Sequence, residues 1–113
     1  MRFRIFGDTF KEQMYQVKQT DEFRTWVQKL RDVRANTLIL KRIDRIYSGN
    51  LGDHKQISSK ISELRIDYGP GYRIYYTKRG NEIILLLIGG DKSTQQNDIK
   101  KANDLAAKLG GRK

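Results

Sequence analysis

The chain has 113 residues, 23 Lys or Arg against 13 Asp or Glu, a formal net charge of +10, a pI near 10.0 and no cysteine. That length suits one domain burying somewhat over about 60% of its unfolded surface, and the charge points to a polyanionic partner, nucleic acid or a ribosome before an acidic membrane. Absence of cysteine excludes disulfides, thiolate chemistry and the usual zinc sites, and fits a reducing cytosol. The longest apolar run, Ile83–Ile88, falls far short of the roughly 20 residues of a membrane span, and residues 1–10 carry arginines where a signal peptide has its apolar stretch.

In chain order, residues 1–13 are short and mixed, with Phe3, Ile5 and Phe6 suited to a strand or an arm. Tyr15–Gln19 alternates weakly and predicts a short strand. Thr20 offers an N-cap with Asp21 and Glu22 in the electropositive first turn of a helix. Phe23, Trp26, Val27 and Leu30 then follow at i, i+3, i+4 and i+7, one apolar stripe that ends near Arg31 and Asp32 and reads as core. A second helix over Arg34–Tyr47 turns Ala35, Leu38, Ile39, Ile43, Ile46 and Tyr47 inward and Lys41, Arg42, Asp44 and Arg45 outward; Ser48, Gly49 and Asn50 stop it. So short a connection predicts an antiparallel helical hairpin.

A Gly-Asp-His-Lys loop, with the single histidine His54 as a surface residue, leads to three strands. Leu64, Ile66, Tyr72, Ile74 and Tyr76 alternate with Glu63, Arg65, Arg73, Tyr75 and Thr77, the pattern of a sheet with one buried and one wet face. A five-residue loop, Asp67–Gly71, pairs Leu64 with Ile74 and Ile66 with Tyr72, and sets Arg65 opposite Arg73. Two facing guanidiniums repel by up to about 1 kcal/mol, so the pattern calls for an anion across them, with phosphate the candidate. On that reading Arg73 points outward, and its truncation leaves the fold intact. Gly80 and Asn81 suit a two-residue turn placing Arg79 beside Glu82, and Lys78-Arg79 reads as a solvated hairpin tip. The next strand, Glu82–Ile88, is apolar on both faces and so central, with helices on at least one side. Ser93 with Gln96 forms a capping box for a last helix that turns Ile99, Ala102, Leu105, Ala106 and Leu109 inward, until Gly110 and Gly111 end it. The order is β-α-α-β-β-β-α. The acidic residues are scattered without DxD or HxxE spacing, which speaks against a metal-dependent nuclease.

This order, together with SELR, GPGYRIYYTKRG and ILLLIGGDKSTQQNDIKKA, resembles the addiction-module killer proteins, the HigB-like branch of the RelE/ParE toxin superfamily. The resemblance runs from Met14 to about Leu109, leaving residues 1–13 as an N-terminal extension and residues 110–113 as a basic tail. It implies a RelE-like α+β fold: a small twisted, mostly antiparallel sheet packed against an N-terminal helical hairpin, with a C-terminal helix. It further implies a cytoplasmic bacterial toxin that cuts messenger RNA in the decoding site of a ribosome, held inactive by a co-encoded antitoxin, a small helix-turn-helix protein. The reaction would need neither metal nor cofactor: the ribose 2′-oxygen attacks the adjacent phosphate and expels the 5′-oxygen.

Carried over position by position, Arg73 stands where the family's GYR arginine clamps the scissile phosphate. Lys55 matches a loop lysine for proton transfer or charge stabilisation, and Lys92 falls in the segment near the leaving group. Arg65 is an RNA-binding candidate or a support of the sheet through a carboxylate, and Tyr68 and Tyr75 are candidates for stacking on a base. The chain departs from better-known relatives in having no Tyr or His within Asp91–Asp98, which leaves three outcomes open: weak catalysis, catalysis resting on lysines of lowered pKa, or its loss. Asp91 is either a helix N-terminal charge or a site carboxylate. Two other readings remain at this stage: a ParE-like toxin that inhibits DNA gyrase by protein contact, and a basic RNA-binding module without toxicity.

Overall fold

A computed structural model describes residues 15–109. The extension at 1–13 with its strand or arm, the Gly110-Gly111 helix stop and the basic tail lie outside the described residues. The elements are β1 (Gln16–Gln19), α1 (Asp21–Lys29), α2 (Val33–Tyr47), β2 (His54–Gln56), β3 (Ser62–Ile66), β4 (Tyr72–Arg79), β5 (Ile83–Asp91), a 3-10 turn (Lys92–Thr94) and α3 (Gln95–Leu109). The chain is α+β, and one five-stranded sheet runs in the order β1-β5-β4-β3-β2. Its pairs are antiparallel except β1 with β5, which is parallel, as the long connection through α1, α2 and β2–β4 allows.

Local chemistry starts the elements where the pattern puts them. The Thr20 hydroxyl accepts from the Phe23 amide at 2.9 Å, which caps α1, and donates to the Leu87 carbonyl at 2.6 Å, which pins that cap to β5. Asp32 caps α2 by accepting from the Arg34 and Ala35 amides at 3.0 and 3.1 Å. Those amide bonds, the Ala35 one foremost, hold the Asp32 carboxyl below its ordinary pKa. The Asn36 amide donates to the Val27 carbonyl at 3.2 Å and ties the two helices together. Phe23, Ala35, Ile39 and Ile46 bury completely against Leu64, Ile74, Ile84 and Leu86 on one face of the sheet.

The other face is covered as well. Tyr75, Leu85 and Leu87 pack against Ala102 and Ala106 of α3, so the face expected to be wet holds a second core. Glu63 and Thr77, both assigned to the wet row, are 1% and 8% exposed. Small alanines let α3 approach the sheet closely.

Several boundaries differ from expectation. His54–Gln56 is an edge strand paired with Ser62–Leu64 and not a loop, because β3 presents an open ladder to it. The β4–β5 connection has three residues, 80–82, and Arg79 pairs with Ile83. Asp91, not Ser93, begins the last helical segment: its side chain accepts from the Ser93 amide at 2.8 Å while Thr94 reciprocates, so the capping box is Asp91/Thr94. Tyr47 is 45% and Leu109 43% exposed, whereas Arg42, expected outside, is buried. Arg42 points under the 51–53 loop and donates to the carbonyls of Leu51 (3.2 Å), Asp53 (2.6 Å) and Arg65 (2.7 Å); burial lowers its pKa. Gly52 (φ +68°) lies over that guanidinium, where a Cβ would collide with it.

Candidate functional site

The β3–β4 hairpin sets the site. The register is the expected one: Leu64 faces Ile74, Ile66 faces Tyr72, and Arg65 faces Arg73. The five-residue loop closes through Gly69 and Gly71, both with positive φ (58° and 81°), which L side chains rarely adopt. Across the next strand, Tyr75 pairs with Ile88 and Tyr76 with Leu86, leaving Leu87 as the extra residue of a bulge. Beyond that bulge Gly89 lies under Trp26 and Gly90 under Asp98 and Thr94, and neither position has room for a Cβ. The Gly89-Gly90 pair is thus a double close approach, one glycine for each helical layer. With Arg73 opposite Gly90, the α3 N-terminal turn comes down beside the arginines.

Arg65, Arg73 and Lys92 line one open cleft of about 330 Å³, together with Asp53, Asp67 and the 69–71 loop. Beneath them lies Glu63. Its carboxylate is 3.0 Å from Arg73 Nη1 and 4.0 Å from Arg65 Nε, and Gln95 Nε2 donates to its other oxygen at 3.4 Å. Arg65 also pairs with Asp53 at 3.1 Å. The anion expected across the two guanidiniums is therefore first of all internal. Arg73 is not a free outward cation: its side chain is 13% exposed and holds a carboxylate that is 1% exposed, so truncating it orphans a buried charge. Glu63 sits two residues before Arg65 and thus on its side of the strand, and this spacing was the signal that could have identified it.

The remaining candidates scatter. Lys55 pairs with Glu63 in register and so shares the Glu63, Arg65 and Arg73 face of the sheet, but it lines a neighbouring groove, not the arginine cleft. Tyr68 belongs to the opposite face: its hydroxyl donates to Asp32 at 3.0 Å and the Arg34 guanidinium stands 5.9 Å from its ring centre. The bond to Asp32 raises its pKa. Tyr75 is fully buried beside Glu63, out of reach of any base, and its hydroxyl makes no hydrogen bond among the described residues. Desolvation, then the Glu63 charge, pushes its pKa well above the ordinary phenol value. His54 is exposed, with Nδ1 2.9 Å from the Gly52 carbonyl; an acceptor there assigns the proton to Nδ1. Among the described residues no three His, Asp or Glu side chains stand together as a metal cluster, and no helix is long and apolar enough to cross a membrane.

No family model matches the chain. Over 95 residues it is 48% identical to an uncharacterized protein of Haemophilus influenzae, an alignment covering 84% of this chain and 96% of that protein. The solution structure of a conserved hypothetical protein from Helicobacter pylori superposes with a TM-score of 0.50 at 19% identity, over 71% of this chain and 97% of that one, which shows a shared fold. At 48% identity over nearly the whole relative, the chain belongs to the family of the Haemophilus influenzae protein.

Proposed function

We propose that this chain is the toxin of a type II toxin–antitoxin module: an endoribonuclease of the HigB-like, RelE/ParE kind that cuts messenger RNA on the ribosome. The observation that carries the reading is the convergence of Arg65, Arg73 and Lys92 on one open cleft with a rigid floor. In the reaction the ribose 2′-oxygen forms a bond to phosphorus as the bond to the 5′-oxygen breaks. The 2′-proton passes to a base and the 5′-oxygen takes one up, leaving a cyclic phosphate and a 5′-hydroxyl. Glu63 occupies Nη1 of Arg73, the one hydrogen bond of that guanidinium among the described residues, and so orients its other donors toward the cleft. Arg73 and Arg65 receive the phosphorane charge and Lys92 serves the leaving oxygen, while Lys55, paired across the sheet with Glu63, adds positive charge from the neighbouring groove. The protein works in the cytoplasm, and a co-encoded helix-turn-helix antitoxin blocks it.

A second reading, a ParE-like toxin that acts on gyrase by contact alone, draws support from α2. Val33, Leu40 and Tyr47 recur every seven residues and are 78%, 52% and 45% exposed, an apolar stripe suited to a protein partner. The test is the end chemistry on programmed ribosomes. Fragments with a 5′-hydroxyl and a cyclic phosphate are expected; a 5′-phosphate excludes the 2′-oxygen route, and growth inhibition without fragments transfers the case to gyrase.

A further inference from the structure

The arginine cleft is close to electrically neutral. Its cations Arg65, Arg73 and Lys92 are matched by Asp53 and Asp67 in its wall and Glu63 beneath. A second groove, of about 660 Å³, is different. It runs from β2 past the 57–61 loop to the end of β4 and is lined by His54, Lys55, Lys60 and Lys78, with no carboxylate among its described lining residues. Lys55, Lys60 and Lys78 bring three positive charges to this wall with no carboxylate among its described lining residues, a positive potential that the cleft lacks.

The groove is also built, not a chance gathering of surface lysines. Ser58 Oγ donates to Asn103 of α3 at 2.8 Å and accepts from the Lys60 and Ile61 amides at 3.2 and 3.3 Å, which fixes the 57–61 loop to α3. Thr77 Oγ1 donates to the Lys60 carbonyl at 2.7 Å, tying the base of Lys60 to β4. The next residue, Lys78, has its ammonium 5.5 Å from the Tyr15 ring centre. Ser62 of β3 lines the groove and Arg65 lines the cleft, so at a strand rise of about 3.4 Å per residue the two lie roughly 10 Å apart along one strand.

We infer that this lysine groove is a binding track for the phosphate backbone of single-stranded nucleic acid, leading into the arginine cleft. Only the identity of the strand as RNA rests on the function proposed above. Lysines act as point charges without base recognition, so the track contributes affinity and not sequence preference. A peptide added to the sheet edge is the less suited occupant, since β2 offers only three residues of ladder.

The experiment measures binding of a fluorescent 2′-O-methyl oligouridylate, which 2′-attack cannot cut, by full-length protein from 50 to 200 mM salt. Each phosphate contact of a single strand contributes about 0.7 to the slope of log affinity against log salt, so Lys60→Gln with Lys78→Gln should reduce the slope by about 1.4. Over that fourfold salt range the wild type then loses about sevenfold more affinity than the double variant. Both residues are exposed, so neither change touches the core. The matched change of Lys100 and Lys101 to Gln, on the exposed side of α3, should leave the slope where it was. No binding by the wild type, an unchanged slope in the groove variant, an equal loss in both variants, or equally tight binding of polyglutamate each overturns the proposal. A protein that never cuts RNA yet shows the groove-specific change in slope keeps the track and loses the nuclease.

Discussion

Arg73→Ala should destabilise the protein, and the size of the loss follows from what the arginine holds. Its Nη1 lies 3.0 Å from a Glu63 oxygen, and the two side chains are 13% and 1% exposed. Removing one partner of such a pair typically costs about 3–5 kcal/mol, because the other charge stays buried. Here two groups soften the loss, Arg65 Nε at 4.0 Å and Gln95 Nε2 at 3.4 Å, which sets the expectation at the low end, about 3 kcal/mol. Relief of the facing Arg65 charge returns less than about 1 kcal/mol. At about 4 °C per kcal/mol for a domain of this size, Tm falls by about 12 °C, yet a protein of ordinary stability remains folded at 25 °C.

The assay is a double-mutant cycle by urea denaturation with Arg73→Ala, Glu63→Gln and both together. Because Glu63→Gln removes the orphaned charge, the double variant should be more stable than Arg73→Ala alone, with a coupling of about 2 kcal/mol. Cleavage on programmed ribosomes should fall about 100- to 1,000-fold in Arg73→Ala and stay low in the double variant, which separates the arginine's role at the phosphate from its role in the fold. Arg73→Ala within about 0.5 kcal/mol of wild type, the range of a surface substitution, would refute the buried-pair reasoning.

Two further outcomes follow from the sheet interior. Gly89→Ala and Gly90→Ala each drive a Cβ into a packed neighbour, the Trp26 ring and the Asp98 carboxylate, and should lose about 1–3 kcal/mol or more in urea unfolding; wild-type stability in either would mean the helices sit farther from β5. Tyr75→Phe removes a buried hydroxyl with no partner, so at pH 7 it should match wild type or exceed it by about 1 kcal/mol. Since the folded phenol has its pKa raised, stability is unaffected by its ionisation below about pH 10 and falls as pH rises further, where the unfolded chain ionises first; Tyr75→Phe should flatten that alkaline loss in a melting series.

What could be read from the chain was whatever neighbours in sequence decide. The Thr20 cap, the 3.6-residue stripes of α1 and α2, and the odd loop that sets Arg65 against Arg73 are all local. What escaped depends on partners far along the chain. Three polar residues, His54–Gln56, carry no strand signal and become a strand because β3 offers them hydrogen bonds. Glu63 and Arg42 look like solvated charges, since a pattern of polarity cannot tell a charge facing water from one facing carbonyls or a guanidinium. The Ala102 and Ala106 stripe is a modest helical signal whose importance appears only when α3 lies on Tyr75. For the same reason Tyr68 and Tyr75 were legible as aromatic residues and not as buried or misdirected ones.

The internal carboxylate also changes what the arginine pair can do. Facing guanidiniums without a counter-ion would hold any phosphate tightly, in the ground state as much as in the transition state, and binding both equally does not raise the chemical rate. With Glu63 below and Asp53 beside them, the pair is neutralised yet still lines the cleft. Such a site gains most from the extra negative charge that a phosphorane develops, because its dipoles are already oriented and need not reorganise. Ground-state attraction is then the task of the groove, where three lysines meet no described carboxylate. On the nuclease reading, weak binding at the cleft and salt-sensitive binding at the groove are two consequences of one division: lysines gather the strand, and a carboxylate-braced arginine pair waits for the charge that appears only as the bond breaks.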